Sequence, residues 1–204
     1  MSLAFPARRR TPPRAPRPAA NLLDTGGLLT LAVDAGLWNL AVSRFGETAK
    51  TLLAVVNELE HLRGDAKVGG LANSALADLG WLGDPIVLDD DAGREDAARL
   101  QGIIAAGRPL THPLQHYAEA ALIVVGRPLG AQAIIEDHDA RVAAHNNGVR
   151  PLSVHKLLHL WVASEVITSG QAFQYCEAIR SAGRGLDYTE EELIEGKLGR
   201  VGQP

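Results

Sequence analysis

Asn21-Leu22-Leu23-Asp24-Thr25-Gly26-Gly27-Leu28-Leu29 is an apolar run broken by an acid, a hydroxyl and two glycines. The pattern reads as a buried strand followed by a turn that opens a helix. Asp24 then stands at the carboxyl end of a strand, where open α/β sheets hold their ligands, and it becomes the first candidate for a metal site. The same residues also describe an ordinary strand-to-helix turn, with Thr25 as N-cap and the glycines at positive φ. Which reading holds depends on whether other acids converge on the same place.

Two helices supply such acids. Val55, Glu58, Leu59 and Leu62 fall at i, i+3, i+4 and i+7, one face of a helix, which sets Glu58 on the apolar stripe. A glutamate there needs a basic partner or a cation, and His61 and Arg63 lie off the stripe. A second helix is predicted from Pro113 through His116 and Glu119 to Gly126, apolar nearly all round, with Glu119 as its only acid. Ala131 to Ile135 then forms another buried strand that runs into Glu136-Asp137-His138-Asp139, repeating the logic of Asp24 at a second strand end.

The remaining segments fill in an alternating pattern. Helices are expected at Leu28 to Val33 and Leu37 to Phe45, parted at Gly36, and around Val68 to Leu79. Strands are expected at Asp84 to Leu88 and Val149 to Val154, and helices around Leu157 to Val162 and Gly170 to Ile179. Asp89, Asp90 and Asp91 read as charges at a helix amino terminus. Pro113 sets His112 outside its helix, and Lys156 stands between His155 and His159 where a zincin needs glutamate, so both histidine pairs read as structural. Strands alternating with helices give an α/β fold with a central parallel sheet, whose right-handed crossovers bring Asp24 and Glu136/Asp137 to one edge.

At 204 residues, 46% hydrophobic and 22% charged, the chain is long and apolar enough to bury one substantial core. Its net charge of −4 is uneven. Residues 1–20 hold Arg8, Arg9, Arg10, Arg14 and Arg17, five prolines and no acid, and read as a disordered basic arm. That arm either contacts nucleic-acid phosphates, with Arg8, Arg9 and Arg10 in front, or merely solubilises the chain. The single cysteine, Cys176, excludes an internal disulfide framework and suits a reducing cytosol, where it reads as a small buried hydrophobe. There is neither a signal-like apolar segment nor a run of about 18 apolar residues, so a cytoplasmic protein with no membrane association is expected.

Carboxylates crowded together raise one another's pKa values and stay ionised together only with a cation among them. Ligation by oxygen alone selects hard ions such as Mg²⁺ or Mn²⁺. Hydrated ions of this kind suit the hydrolysis of phosphodiesters.

Leu22-Leu23-Asp24-Thr25 with Leu28-Leu29, Val56-Asn57-Glu58-Leu59, Ala118-Glu119-Ala120-Ala121-Leu122, and Ile134-Ile135-Glu136-Asp137 with Arg141 and Gly148 resemble, in order and spacing, the successive motifs of the PIN-domain nucleases. The likeness runs from about Asn21 to Val166, and the carboxyl-terminal helices resemble those of a toxin-like subgroup. It implies a three-layer α/β/α fold and Mg²⁺- or Mn²⁺-dependent cleavage of single-stranded RNA. It also implies a toxin role restrained by a small antitoxin protein, in a chain that pairs as a homodimer.

Carried over by position, Asp24, Glu58, Glu119 and Asp137 form the acidic quartet that binds metal and catalyses. Asp139 is an alternate ligand, and Thr25 a helper at the first acid. Glu119 stands where the family has aspartate, and Gly26-Gly27 where a polar residue commonly follows. The resulting division is a basic arm at 1–20, a nuclease domain at 21–168 and a helical extension at 169–204. Two other functions fit the same residues: a PIN-like module that has lost catalysis and only binds or regulates, and a nuclease directed at DNA.

Overall fold

A computed structural model describes residues 20–185. The basic arm, with Arg8, Arg9 and Arg10, and the acidic run at 190–192 lie outside them. Strands and helices alternate, with one strand, β2, that the sequence did not reveal: β1 (Asn21–Leu23), α1 (Thr25–Leu31), α2 (Ala35–Phe45), β2 (Ala49–Lys50), α3 (Leu53–Leu62), α4 (Gly69–Ala77), α5 (Asp91–Ile104), α6 (Tyr117–Gly126), β3 (Gln132–Ile134), α7 (His138–Asn146), β4 (Arg150–Leu152), α8 (Val154–Ala163) and α9 (Ser169–Ser181). Four parallel strands in the order β2-β1-β3-β4, flanked by helices, make a three-layer α/β/α architecture.

β1 is buried at all three positions, as a strand covered by helices on both faces must be. It pairs Leu23 with Ile134 of β3, and β3 pairs Ile134 with Leu152 of β4. The central pair β1 and β3 therefore ends in step. α6 crosses close to this pair: a side chain at Gly126 would meet Leu22 Cδ1 at 3.1 Å. Its Ala118, Ala120, Ala121, Leu122 and Ile123 are buried, which accounts for a sequence that is apolar nearly throughout apart from Glu119. β4 is an edge strand carrying Pro151 opposite Ala133. α9, closed by a Thr168/Gln171 capping box, buries Ala172, Cys176 and Ile179 in the same core.

Several local expectations are corrected. Asp24, and not Thr25, caps α1, and neither glycine that follows has positive φ. The first two helices part at Asp34, whose side chain caps α2 through Leu37 N–H at 2.9 Å, and Gly36 lies inside α2. Residues 84–88 form no strand. Ile86 makes a single parallel bridge to Leu52, Pro85 has no N–H to give a ladder, and Val87 is 55% exposed. α6 begins at Tyr117 rather than Pro113, because His116 sits in the left-handed region at φ 62 and ends the preceding turn.

Candidate metal and catalytic site

Asp24 follows β1 directly and is only 2% exposed. As N-cap of α1 it accepts the Gly27 N–H on Oδ1, while Oδ2 accepts the Glu136 N–H at 3.3 Å from the end of β3. Both glycines after it are required by crowding. A Cβ on Gly26 would lie 3.0 Å from Glu136 Cβ, and one on Gly27 would lie 2.9 Å from Asp24 Oδ1 and 3.0 Å from the Ile134 carbonyl oxygen. Glycine here lets β3 and the head of α1 approach, which brings the two strand-end acids together.

Thr25 points from α1 to α3, where its hydroxyl donates to Glu58 Oε2 at 2.5 Å. Burial pushes the Glu58 carboxyl up from its ordinary value, and the Thr25 bond, His116 and His61 oppose that rise. The acid on the apolar stripe is thus partnered by a hydroxyl from the first motif. Arg63, weighed as its partner, pairs with Glu60 instead.

Glu119 lies in the first turn of α6, and its Oε2 is buried without a hydrogen-bond partner among the described residues. Its carboxyl is pushed up to about 7 by burial, then by the neighbouring Glu58 and by Asp137. Asp24 is pushed well above its ordinary value by burial and then by Glu119 and Glu136. Glu119 is thus linked electrostatically to the other acids: Glu58 and Asp137 act on it, and it acts on Asp24. Asp137 itself caps α7, accepting the Ala140 N–H at 2.7 Å.

Asp139 is turned away: it accepts Arg108 Nη2 at 2.6 Å in a largely exposed ion pair. Asp90 caps α5 and Asp91 pairs with Arg94 at 2.5 Å, the structural duties expected of that acidic run. Cys176 and His155 are buried.

The sequence places Glu136 at the shared edge but outside the acidic quartet, and it leaves Arg184 out of the site altogether. Glu136 accepts the Val154 N–H on Oε1 at 2.6 Å, tying β3 to the head of α8, and faces Arg141 and Arg184. Its position after a buried strand was a visible signal. Arg184 carried none, being 158 residues from the Gly26 carbonyl that it contacts.

Among the described residues, no three Asp, Glu, His or Cys side chains are gathered tightly enough to form a ready metal cage. In chemical type the donors suit a hard divalent cation: all are carboxylates, Glu58 and Asp137 raise the pKa of Glu119 while Glu119 raises that of Asp24, and Glu119 Oε2 is buried without a hydrogen-bond partner among the described residues. No protein-family model, curated protein or solved structure matches the chain.

Proposed function

We propose that this protein is a PIN-type, divalent-metal-dependent endoribonuclease that cleaves single-stranded RNA, acting as the toxin of a toxin–antitoxin pair. The observation that carries the reading is the buried Glu119 Oε2, without a hydrogen-bond partner among the described residues, on a carboxylate whose pKa is raised by burial and then by Glu58 and Asp137. Asp24, Glu58, Glu119 and Asp137 would hold Mg²⁺ or Mn²⁺. Such an ion, when bound, acidifies a water and neutralises charge on the phosphate.

The chain's own residues prepare that chemistry. Two backbone N–H groups fix the Asp24 carboxylate, so its orientation does not depend on a ligand. The Thr25 hydroxyl orients Glu58. Glu119 keeps a proton up to about pH 7 and releases it when a positive charge arrives. A small antitoxin and a second copy of the chain are the proposed protein partners, and Arg8, Arg9 and Arg10 a proposed phosphate contact.

A second reading, a PIN-like module that binds without cutting, is favoured by the lack of a tight three-residue cluster among the described residues. One experiment separates the readings. The full-length protein is incubated with matched RNA and DNA oligomers in MnCl₂, MgCl₂ or EDTA, beside Asp24→Asn. The nuclease reading requires metal-dependent cutting of single-stranded RNA that Asp24→Asn abolishes. Intact RNA with both metals leaves the binding module, and cutting of DNA alone redirects the substrate.

A further inference from the structure

After α9 the chain turns at Gly183 (φ 68) and lays Arg184, partly buried, against α1. Arg184 Nε donates to Thr30 Oγ1 at 3.1 Å, and Nη2 donates to the Gly26 carbonyl at 3.1 Å. The next residue locks the segment: Gly185 has φ 126, and a Cβ there would stand 2.7 Å from the His155 ring. Gly26 is less confined but still close-packed, with Glu136 Cβ 3.0 Å and Asp24 Oδ2 3.5 Å from where its own Cβ would be. A single glycine thus carries the guanidinium on its carbonyl and two acids against its α-carbon.

The carboxylates that bear on Arg184 electrostatically are Glu136 and then Asp24, without an ion pair to either among the described residues. The other cation facing Glu136 is Arg141, which spends Nη1 on the carbonyls of Ile135 and Glu136. Buried carboxylates need a compensating charge, and a guanidinium supplies one permanently while its planar fork serves two acceptors at once.

We propose that Arg184 is a positioning residue of the carboxylate site: it supplies a fixed positive charge that balances Glu136 and Asp24 and pins the head of α1. The acidic group is then partly balanced without a metal ion, and Glu136, whose Oε1 accepts the Val154 N–H, takes no part in holding one. The metal arm of this inference rests on the proposed function, and the charge balance does not.

The test uses full-length Arg184→Met, Arg184→Lys, Glu136→Gln and the Arg184→Met/Glu136→Gln double variant. In EDTA, Arg184→Met lowers the urea midpoint, and adding Glu136→Gln gives back at least half of the loss. The amide keeps the acceptor for Val154 but has no charge to balance. Additive losses overturn the proposal.

With MnCl₂ as the titrant in calorimetry, Arg184→Met binds about tenfold more tightly than the wild type, because a fixed repulsive charge is gone. Unchanged or weaker binding overturns the proposal, since a merely structural arginine predicts that result. Should Arg184→Met fail to fold, Arg184→Lys decides, keeping wild-type Mn²⁺ affinity while losing the fork; tighter binding there overturns the proposal. Absence of Mn²⁺ binding by the wild type defeats the nuclease reading, and the EDTA cycle still judges Arg184.

Discussion

Asp24 Oδ2 accepts the backbone N–H of Glu136 at 3.3 Å, so the end of β3 holds the side chain at the end of β1. With the Gly27 N–H on Oδ1, both carboxylate oxygens satisfy buried donors. Asp24→Ala strands both donors and is expected to cost about 1–3 kcal/mol. Asp24→Asn retains one acceptor and removes a buried charge, so it should stay closer to the wild type. Urea denaturation in EDTA compares the two, and an equal loss would mean that the hydrogen bonds do not anchor the side chain.

Stability of the metal-free protein should fall as pH rises. Glu119 has an ordinary value of 4.5 and is pushed up to about 7 in the fold. Below 4.5 both folded and unfolded chains carry the proton. Between 4.5 and 7 the unfolded chain ionises first, so stability is lost through that window and stays low above it. At about 1.4 kcal/mol per pH unit the loss is on the order of 3 kcal/mol. Melting in EDTA from pH 4.5 to pH 8 measures it, and Glu119→Gln should flatten the curve.

Removing the hydroxyl that serves Glu58 leaves a largely buried carboxylate without its donor. Thr25→Val, nearly isosteric, should destabilise by about 1–3 kcal/mol, whereas Thr25→Ser should cost little. Chemical denaturation of the pair separates the lost bond from lost packing.

Gly27→Ala should be more damaging than Gly26→Ala, although alanine is the better helix former by about 1 kcal/mol. At Gly26 the new methyl has one tight contact, Glu136 Cβ at 3.0 Å, and its next neighbours lie at 3.5 Å, ordinary contact distance. At Gly27 it meets Asp24 Oδ1 and the Ile134 carbonyl oxygen, and the backbone of a central strand does not yield. Overpacking of this kind costs about 1–3 kcal/mol. Comparable midpoints for the two variants would show that β3 gives way.

A saturating hard cation should raise the melting temperature. A ligand at a hundred times its Kd stabilises by about 2.7 kcal/mol. Thermal melts in MnCl₂ against EDTA check this, and Glu119→Gln, which removes one proposed ligand charge, should shrink the difference.

The alternating layout was legible because buried parallel strands and apolar helices write themselves as runs that end at acids and glycines. Leu22 to Asp24 and Ala131 to Asp137 carried that signal plainly, and the structure pairs these strands side by side. Residues 84–88 misled because an apolar run with a proline reads as a strand until its neighbours are known. His116 hid the true start of α6, since one left-handed residue has no composition signature. The partner of Glu58 was found on a different motif, and Arg184 approaches Gly26 from 158 positions away, a relation that no local periodicity encodes.

Pro151 bears on how copies of the chain can meet. Within β4, the Arg150 N–H and the Leu152 carbonyl point to β3, so the position between them faces outward, and there a proline offers no donor. At the opposite flank, the Thr51 carbonyl and the Leu53 N–H beyond β2 are taken up by Ile86. Among the described residues, strand-to-strand extension is thus disfavoured at β4 and just beyond β2. Two molecules that pair would then meet through helical surfaces, which leaves the carboxyl edge of the sheet, where Asp24 and Glu136 lie, clear of the contact.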